Sequence, residues 1–412
     1  MCLHTKLREK CKVNTNFDSD TFVGIKYENG DIHINFPLGF EISKDDKGLR
    51  KDIFLLLNTI KNTTARKDSE IFNEYSEYDV LGFPMQAYMN VIYDYYKRGY
   101  YTEREVLYNV SNRGKIDWGK TIKKQKPYIQ NNNVYYLDFV TKKNMMNSDN
   151  IISLIHEYCV YESFLKLGWL FTSSMPRKPK IRFNEKMFIS SLQDKIHNTY
   201  NDTNKCLFMS MLEIVRYLGP DSTQNSFQYG TYRFEYVWEK MIDKVYGIKN
   251  KDLFYPKTYW NVGGKEYGND PLRPDTIMIN GNEIYVLDAK YYKYGYTRNI
   301  GDLPESTSIN KQITYGEYIA EQEALTKKYG KKIYNAFIMP FNFNDEKWEA
   351  DNHILRIGEA YGDWKKNMKT YEKVQGIVLD TKYLMKISTS ENEKEIILLA
   401  DQISKYVEKR EE

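Results

Sequence analysis

Residues 273–290 read RPDTIMINGNEIYVLDAK. Two apolar runs flank Asn280-Gly281-Asn282, a strong signal for a β-hairpin closed by a two-residue turn. With Asn280-Gly281 at the turn centre, Asp275 lies opposite Val286 and diagonal to Asp288. With Gly281-Asn282 at the centre, Asp275 lies directly opposite Asp288. Side chains alternate along a strand and paired residues share a face, so either register gathers Asp275, Asp288 and Lys290 on one face. A three-residue loop would separate them. Two carboxylates about 5–8 Å apart repel each other, and hard oxygen ligands invite Mg²⁺ or Mn²⁺. Such an ion polarises a phosphate and lowers the pKa of a bound water. A lysine two residues on can orient that water or neutralise charge developing on phosphorus. Pro274 donates no ladder hydrogen bond and suits the start of the strand.

The letters alone are common. Pro220-Asp221 is a second P-D, and Asp45-Asp46-Lys47, Asp345-Glu346-Lys347 and Asp380-Thr381-Lys382 are further D-x-K strings. The 274–290 segment differs in being an apolar hairpin of the right parity, preceded by a helix near 231–246 that carries acids. After it the pattern predicts a helix near 308–328, a strand at 332–341, a strand at 374–380 and a helix near 393–408. This is an α/β plan, a mixed central sheet flanked by helices on both faces. Upstream, 22–36 reads as a hairpin, 50–60 and 84–98 as helices, 104–110 and 133–140 as strands, and 150–170 as a helix. The proline- and base-rich stretch TSSMPRKPKIR (172–182) marks a junction between an α+β N-terminal domain, 1–175, and a C-terminal domain, 176–412.

Bulk composition bounds the alternatives. The 412 residues suffice for two domains, and 41% hydrophobic with 28% charged residues supports a sizeable core. A net charge of +4 over 60 basic and 56 acidic side chains names no partner. Cys2, Cys11, Cys159 and Cys206 lack paired spacing and read as free thiols of a reducing cytoplasm. The five histidines do not cluster, which argues against zinc, and His156 reads as a packed core residue. No apolar signal core or membrane-length run is present, so a cytoplasmic location is expected.

Gly114 to Thr121, GKIDWGKT, satisfies the letters of a nucleotide-binding phosphate loop. Such a loop must lead from a buried strand into a sustained helix whose amides hold phosphates. Here Pro127 ends any helix after about six residues, Ile116 and Trp118 are bulky, and Asp138 follows too closely for a crossover. The stretch is better read as a basic loop. Its Arg113, Lys115, Lys120, Lys123 and Lys124 would track DNA phosphates or dock on an acidic partner. Lys293 and Arg298, in KYYKYGYTR after the hairpin, are further candidates for contact with the DNA backbone.

The P-D…D-x-K hairpin resembles the PD-(D/E)xK nuclease core. IDWGKTI, IHEYCVYESFLKLGWL, YVWE, RPD…VLDAKY, LPESTSINKQITY and VLDTKYL, in that order, resemble the LlaJI-type restriction endonucleases, relatives of McrC, over roughly 100–410. The resemblance implies a helix acid in the metal site, with Glu239 in VWEKMI preferred to Glu235. It also implies a role for Gln312, beside Lys311 and ahead of Tyr315, and metal contact from the Ala289 carbonyl. The implied activity is Mg²⁺-dependent cleavage of double-stranded DNA leaving 5′-phosphate and 3′-hydroxyl ends, within a restriction-modification system that resists phage. The implied partners are a McrB-like AAA+ GTPase and a cognate methyltransferase, and cutting both strands favours a dimer on DNA. A non-catalytic activator of an AAA+ NTPase and a repair or recombination nuclease are the alternatives.

Overall fold

The computed structural model describes residues 7–15, 21–28, 31–64, 83–131, 133–147, 150–172, 174–219, 226–365, 368–388 and 393–408. They form two compact units. One comprises residues of 1–82 and 225–412, the other residues of 83–224.

The first unit is built on a five-stranded mixed sheet in the order Thr276–Asn280, Glu283–Ala289, Lys332–Phe341, Val374–Asp380, Ile354–Ala360. The three inner strands run parallel and both edges antiparallel. The central Lys332–Phe341 strand is buried along nine of its ten residues, as a strand covered on both faces must be. Ile277, Ile284 and Val286 pack with Tyr315 and Ile319 of the Ser306–Glu321 helix. The Phe234–Tyr246 helix is tied to the sheet by Trp238, whose Nε1–H donates to the Ile338 carbonyl at 3.1 Å. This is the mixed α/β arrangement expected from the sequence, with two differences. The 308–328 helix divides at Gln322 into two, and the edge strand Ile354–Ala360 was not foreseen.

The N-terminal segment belongs to this unit. Val23–Glu28 pairs antiparallel with Asp31–Phe36 on one side and with Ser226–Thr231 on the other. The expected hairpin is therefore present, its Asn29-Gly30 turn lying outside the described residues. Gly24 and Gly230 face each other so closely that a Cβ on Gly230 would meet the Val23 carbonyl at 2.2 Å, so neither position accepts a side chain. Tyr291 accepts the Leu38 N–H at 2.6 Å, Thr381 donates to the Leu38 carbonyl at 2.8 Å, and Lys382 pairs with Asp52 at 2.8 Å. The boundary placed at 175/176 thus falls inside the second unit. Residues 174–182 run without helix or strand, which explains their linker-like composition.

The second unit contains the helices Met85–Arg98, Ile151–Leu167, Glu185–His197 and Asp202–Tyr217, and a small antiparallel sheet ordered Glu103–Val110, Val140–Asn147, Lys115–Ile116. His156 is buried in this unit, as expected. Its Nδ1 accepts the Tyr101 N–H at 3.0 Å, and burial pushes the imidazole down to about 3. Cys11, Cys159 and Cys206 are free thiols. No helix among the described residues is long and apolar enough to cross a membrane.

Candidate active site

The hairpin adopts one of the two registers left open. Thr276 pairs with Leu287 and Asn280 with Glu283, so Gly281-Asn282 is the turn and Asp275 stands one step beyond, opposite Asp288. Gly281 has φ 57°, the positive value that primed hairpin turns demand at their first central position. By strand alternation Asp275 and Asp288 continue the face of Ile277 and Val286, and Thr276 takes the other face.

Lys290 joins them. Its ammonium pairs with the Asp288 carboxylate at 2.7 Å, and both side chains are largely shielded, at 19% and 7% exposure. Its backbone N–H continues the ladder to Ile338 at 2.9 Å. Burial alone would lower the lysine pKa, but Asp288, with help from Asp275, outweighs it and raises the value. Asp275 accepts the Ala289 N–H at 2.8 Å. Burial and the neighbouring carboxylates of Asp288 and Glu239 nevertheless hold its own pKa well above the ordinary value, against the pull of that N–H and Lys290.

The two helix acids separate clearly. Glu235 is 45% exposed and pairs with Arg233 at 3.0 Å. Glu239 is half-buried and faces the aspartates electrostatically. Burial raises its pKa, Lys251 lowers it, and the Asp243 and Asp288 carboxylates raise it again. Gln312 is buried, and its amide donates to the Val286 carbonyl at 2.7 Å. It supports the strand that carries Asp288. The neighbouring Tyr315 hydroxyl donates to the Arg273 carbonyl at 3.0 Å, bracing the chain just before Pro274-Asp275.

Sequence reasoning missed a second layer. Lys251 donates to the Asp243 carboxylate at 2.7 Å and to the Asp275 backbone carbonyl at 2.8 Å, while Thr276 reaches the same Asp243 oxygen at 3.3 Å. Asp243 lies four residues after Glu239, on the same helix face, a spacing visible in the sequence. Lys251 comes from an irregular segment and carries no such signal.

The donor set suits a hard divalent cation. Asp275 feels the negative charge of Asp288 and, after it, of Glu239; positive charge relieves that repulsion, and oxygen is the ligand type Mg²⁺ and Mn²⁺ prefer. Lys290 meets part of that demand as the side chains stand. Among the described residues, no three His, Cys, Asp or Glu side chains form a ready-made metal cluster. An ion would therefore rest chiefly on the Asp275–Asp288 pair.

The other P-D and D-x-K strings do different work. Asp45 accepts the Gly48 N–H at 2.9 Å, Asp345 accepts Lys347 N–H at 3.0 Å, and Asp380 caps its helix by accepting Tyr383 N–H at 2.7 Å. Pro220-Asp221 lies outside the described residues.

In the second unit, the two-residue strand Lys115–Ile116 leads into the seven-residue helix Trp118–Lys124. The groups a phosphate would need are engaged. Asp117 accepts the Lys120 N–H at 3.0 Å, and Lys120 Nζ lies 3.3 Å from the Tyr108 ring centroid. The buried Thr121 hydroxyl donates to the Asp117 carbonyl at 2.8 Å and accepts the Val140 N–H at 2.9 Å. Arg113, Lys115, Lys123 and Lys124 are exposed, as a contact surface requires. In the first unit, Lys293 is half-buried and its carbonyl holds the following turn, while Arg298 stacks 4.8 Å from the Trp348 ring.

The family model of the LlaJI restriction endonuclease matches residues 22–356. The Type II restriction enzyme BsuMI component YdjA of Bacillus subtilis (strain 168) is 27% identical over 265 residues, which cover 59% of this chain and 55% of that protein. The chain thus matches about half the length of this curated relative. A solved structure described as a refined half-complex from the tetradecameric assembly of Thermococcus gammatolerans McrB AAA+ hexamers with bound McrC is similar at TM-score 0.37 and 15% identity, covering 92% of this chain and 82% of that one. With the family pattern running from the N-terminal hairpin through the paired aspartates to the edge strand, the chain belongs to the LlaJI restriction endonuclease family.

Proposed function

We propose that the chain is the DNA-cleaving subunit of a restriction-modification system that acts against phage, and that it hydrolyses phosphodiester bonds with Mg²⁺ or Mn²⁺. The observation that carries this reading is the Asp275–Asp288 opposition with Lys290 at 2.7 Å from Asp288, in a member of a restriction endonuclease family. Asp275 and Asp288, with the Ala289 carbonyl and Glu239, would hold the ion. Bound there, the ion would polarise the scissile phosphate and lower the pKa of an attacking water. Lys290 orients that water or neutralises charge building on phosphorus. Gln312, Tyr315 and Lys251 hold the strands that carry the carboxylates. Attack on phosphorus leaves 5′-phosphate and 3′-hydroxyl ends.

The partner assignment is a McrB-like AAA+ GTPase, with a methyltransferase protecting host DNA and two copies of this chain meeting on the duplex. The exposed surface of the second unit supports a docking role. Its Tyr128–Gln130 and Asn133–Tyr135 strands form a two-stranded ribbon. Tyr128, Ile129, Val134 and Tyr135 there are 50–76% exposed, beside the basic 113–126 stretch. Incubating the chain and its GTPase partner with DNA, with and without Mg²⁺, tests the assignment. Metal-dependent cutting supports it; GTPase stimulation with no cutting would instead establish a non-catalytic activator.

A further inference from the structure

A second exposed ribbon lies in the first unit, between the helix that carries Glu239 and the strand that follows Asp275. Tyr259–Val262 pairs with Lys265–Gly268 alone, with Trp260 opposite Tyr267 and Val262 opposite Lys265. Every residue from 257 to 270 is exposed. Tyr259, Trp260, Val262 and Tyr267 are 60%, 65%, 60% and 55% exposed. An isolated two-stranded ribbon is marginal in water, and large apolar side chains gathered on one need a covering surface. Gly263 and Gly264, at φ 60° and 78°, close it in a tight turn with open space around both.

We propose that this ribbon is a DNA-contacting arm, laying its Trp260–Tyr267 face against bases and sugars beside the bond to be cut. Continuity with the active site argues for DNA. The ribbon's base is clamped by Asn269 N–H to the Thr258 carbonyl and Leu272 N–H to the Pro256 carbonyl, both 2.9 Å. From Tyr267 to Asp275 the chain spans eight residues, at most about 28 Å when extended, which is less than the roughly 34 Å of one duplex turn. DNA whose phosphate reaches Asp275 and Asp288 therefore passes within a turn of the ribbon. Charge agrees. Lys257, Lys265 and Arg273 outnumber Glu266 and Asp270 over 257–273, and Lys265 shares the aromatic face while Glu266 takes the other. Aromatic rings flanked by cations are the combination that stacks on bases while tracking phosphates.

The inference rests on the nuclease reading, and its test is a binding measurement. The full chain, with its GTPase partner, is titrated into a fluorescent duplex with Ca²⁺ replacing Mg²⁺. A W260A/Y267A double variant should bind about tenfold or more weakly. K265E should flatten the salt dependence of binding by about one unit of slope. D288A, assayed in Mg²⁺, should fail to cut while still binding DNA through the ribbon, so a fault in the catalytic assignment appears in that variant alone. Equal DNA affinity for wild type and W260A/Y267A overturns the arm, as does a wild type that binds no DNA. Loss of GTPase binding in place of DNA binding overturns it too, because the ribbon would then be a protein dock.

Discussion

Lys251 holds the main chain of Asp275: its ammonium reaches the Asp275 carbonyl at 2.8 Å while pairing with Asp243 at 2.7 Å. The Tyr315 hydroxyl grips the Arg273 carbonyl at 3.0 Å two residues earlier. Asp275 therefore sits between two side-chain anchors from different elements, and its carboxylate is aimed by residues that need not touch substrate.

Removing the Lys251 anchor should cost rate more than affinity. Lys251→Met is expected to lower the cleavage rate by about tenfold to a hundredfold, the scale of a small misplacement of a reacting group, with DNA affinity retained. Lys251→Arg should recover part of the loss, because it keeps the charge beside Asp243. Single-turnover rates at saturating DNA read this directly, and wild-type rates for Lys251→Met would remove Lys251 from the positioning network.

The buried His156 gives the second unit an acid-sensitive component. Its folded pKa, about 3, lies below the ordinary 6.5, so protonation favours the unfolded state. The neutral ring's contribution is complete above pH 6.5 and drains away as pH falls towards 3, by up to about 4 kcal/mol. His156→Gln keeps an acceptor for the Tyr101 N–H and cannot gain that proton. Unfolding midpoints between pH 7 and pH 4 should fall less steeply in the variant, and parallel slopes would contradict the assignment.

Thr121 is expected to matter for stability and not for nucleotide. Its hydroxyl satisfies the buried Val140 N–H at 2.9 Å, so Thr121→Val should destabilise the chain by about 1–3 kcal/mol. Titration of the chain alone with GTP or ATP should show no saturable binding. Tight nucleotide binding lost in Thr121→Val would reverse this reading of GKIDWGKT.

The hairpin and its three polar residues were legible because strand alternation is a local rule, and both admissible registers obeyed it. The choice between them was not legible: Asn280-Gly281-Asn282 offers two turn centres, and only the pairing of Asn280 with Glu283 decides between them. Four-residue spacing puts Glu239 and Glu235 on one helix face, and only the resemblance of VWEKMI favoured Glu239; the Arg233 pair now accounts for Glu235. The edge strand Ile354–Ala360 escaped because its register shifts between Arg356 and Gly358, which blurs the two-residue period. The domain boundary was misplaced for a different reason. Pairing of Val23–Glu28 with Ser226–Thr231 joins segments some two hundred residues apart, and no local pattern announces it.

In the function proposed above, Asp275, Asp288 and Lys290 cut DNA together around a divalent cation. The most direct measurement is the single-turnover cleavage rate of Lys290→Ala beside the wild type, in Mg²⁺ and with the GTPase partner present. Wild-type cutting should disappear on chelation and the variant should be slowed by at least about a hundredfold, with an unchanged unfolding midpoint showing that the fold is intact. Cutting by Lys290→Ala at the wild-type rate would contradict it.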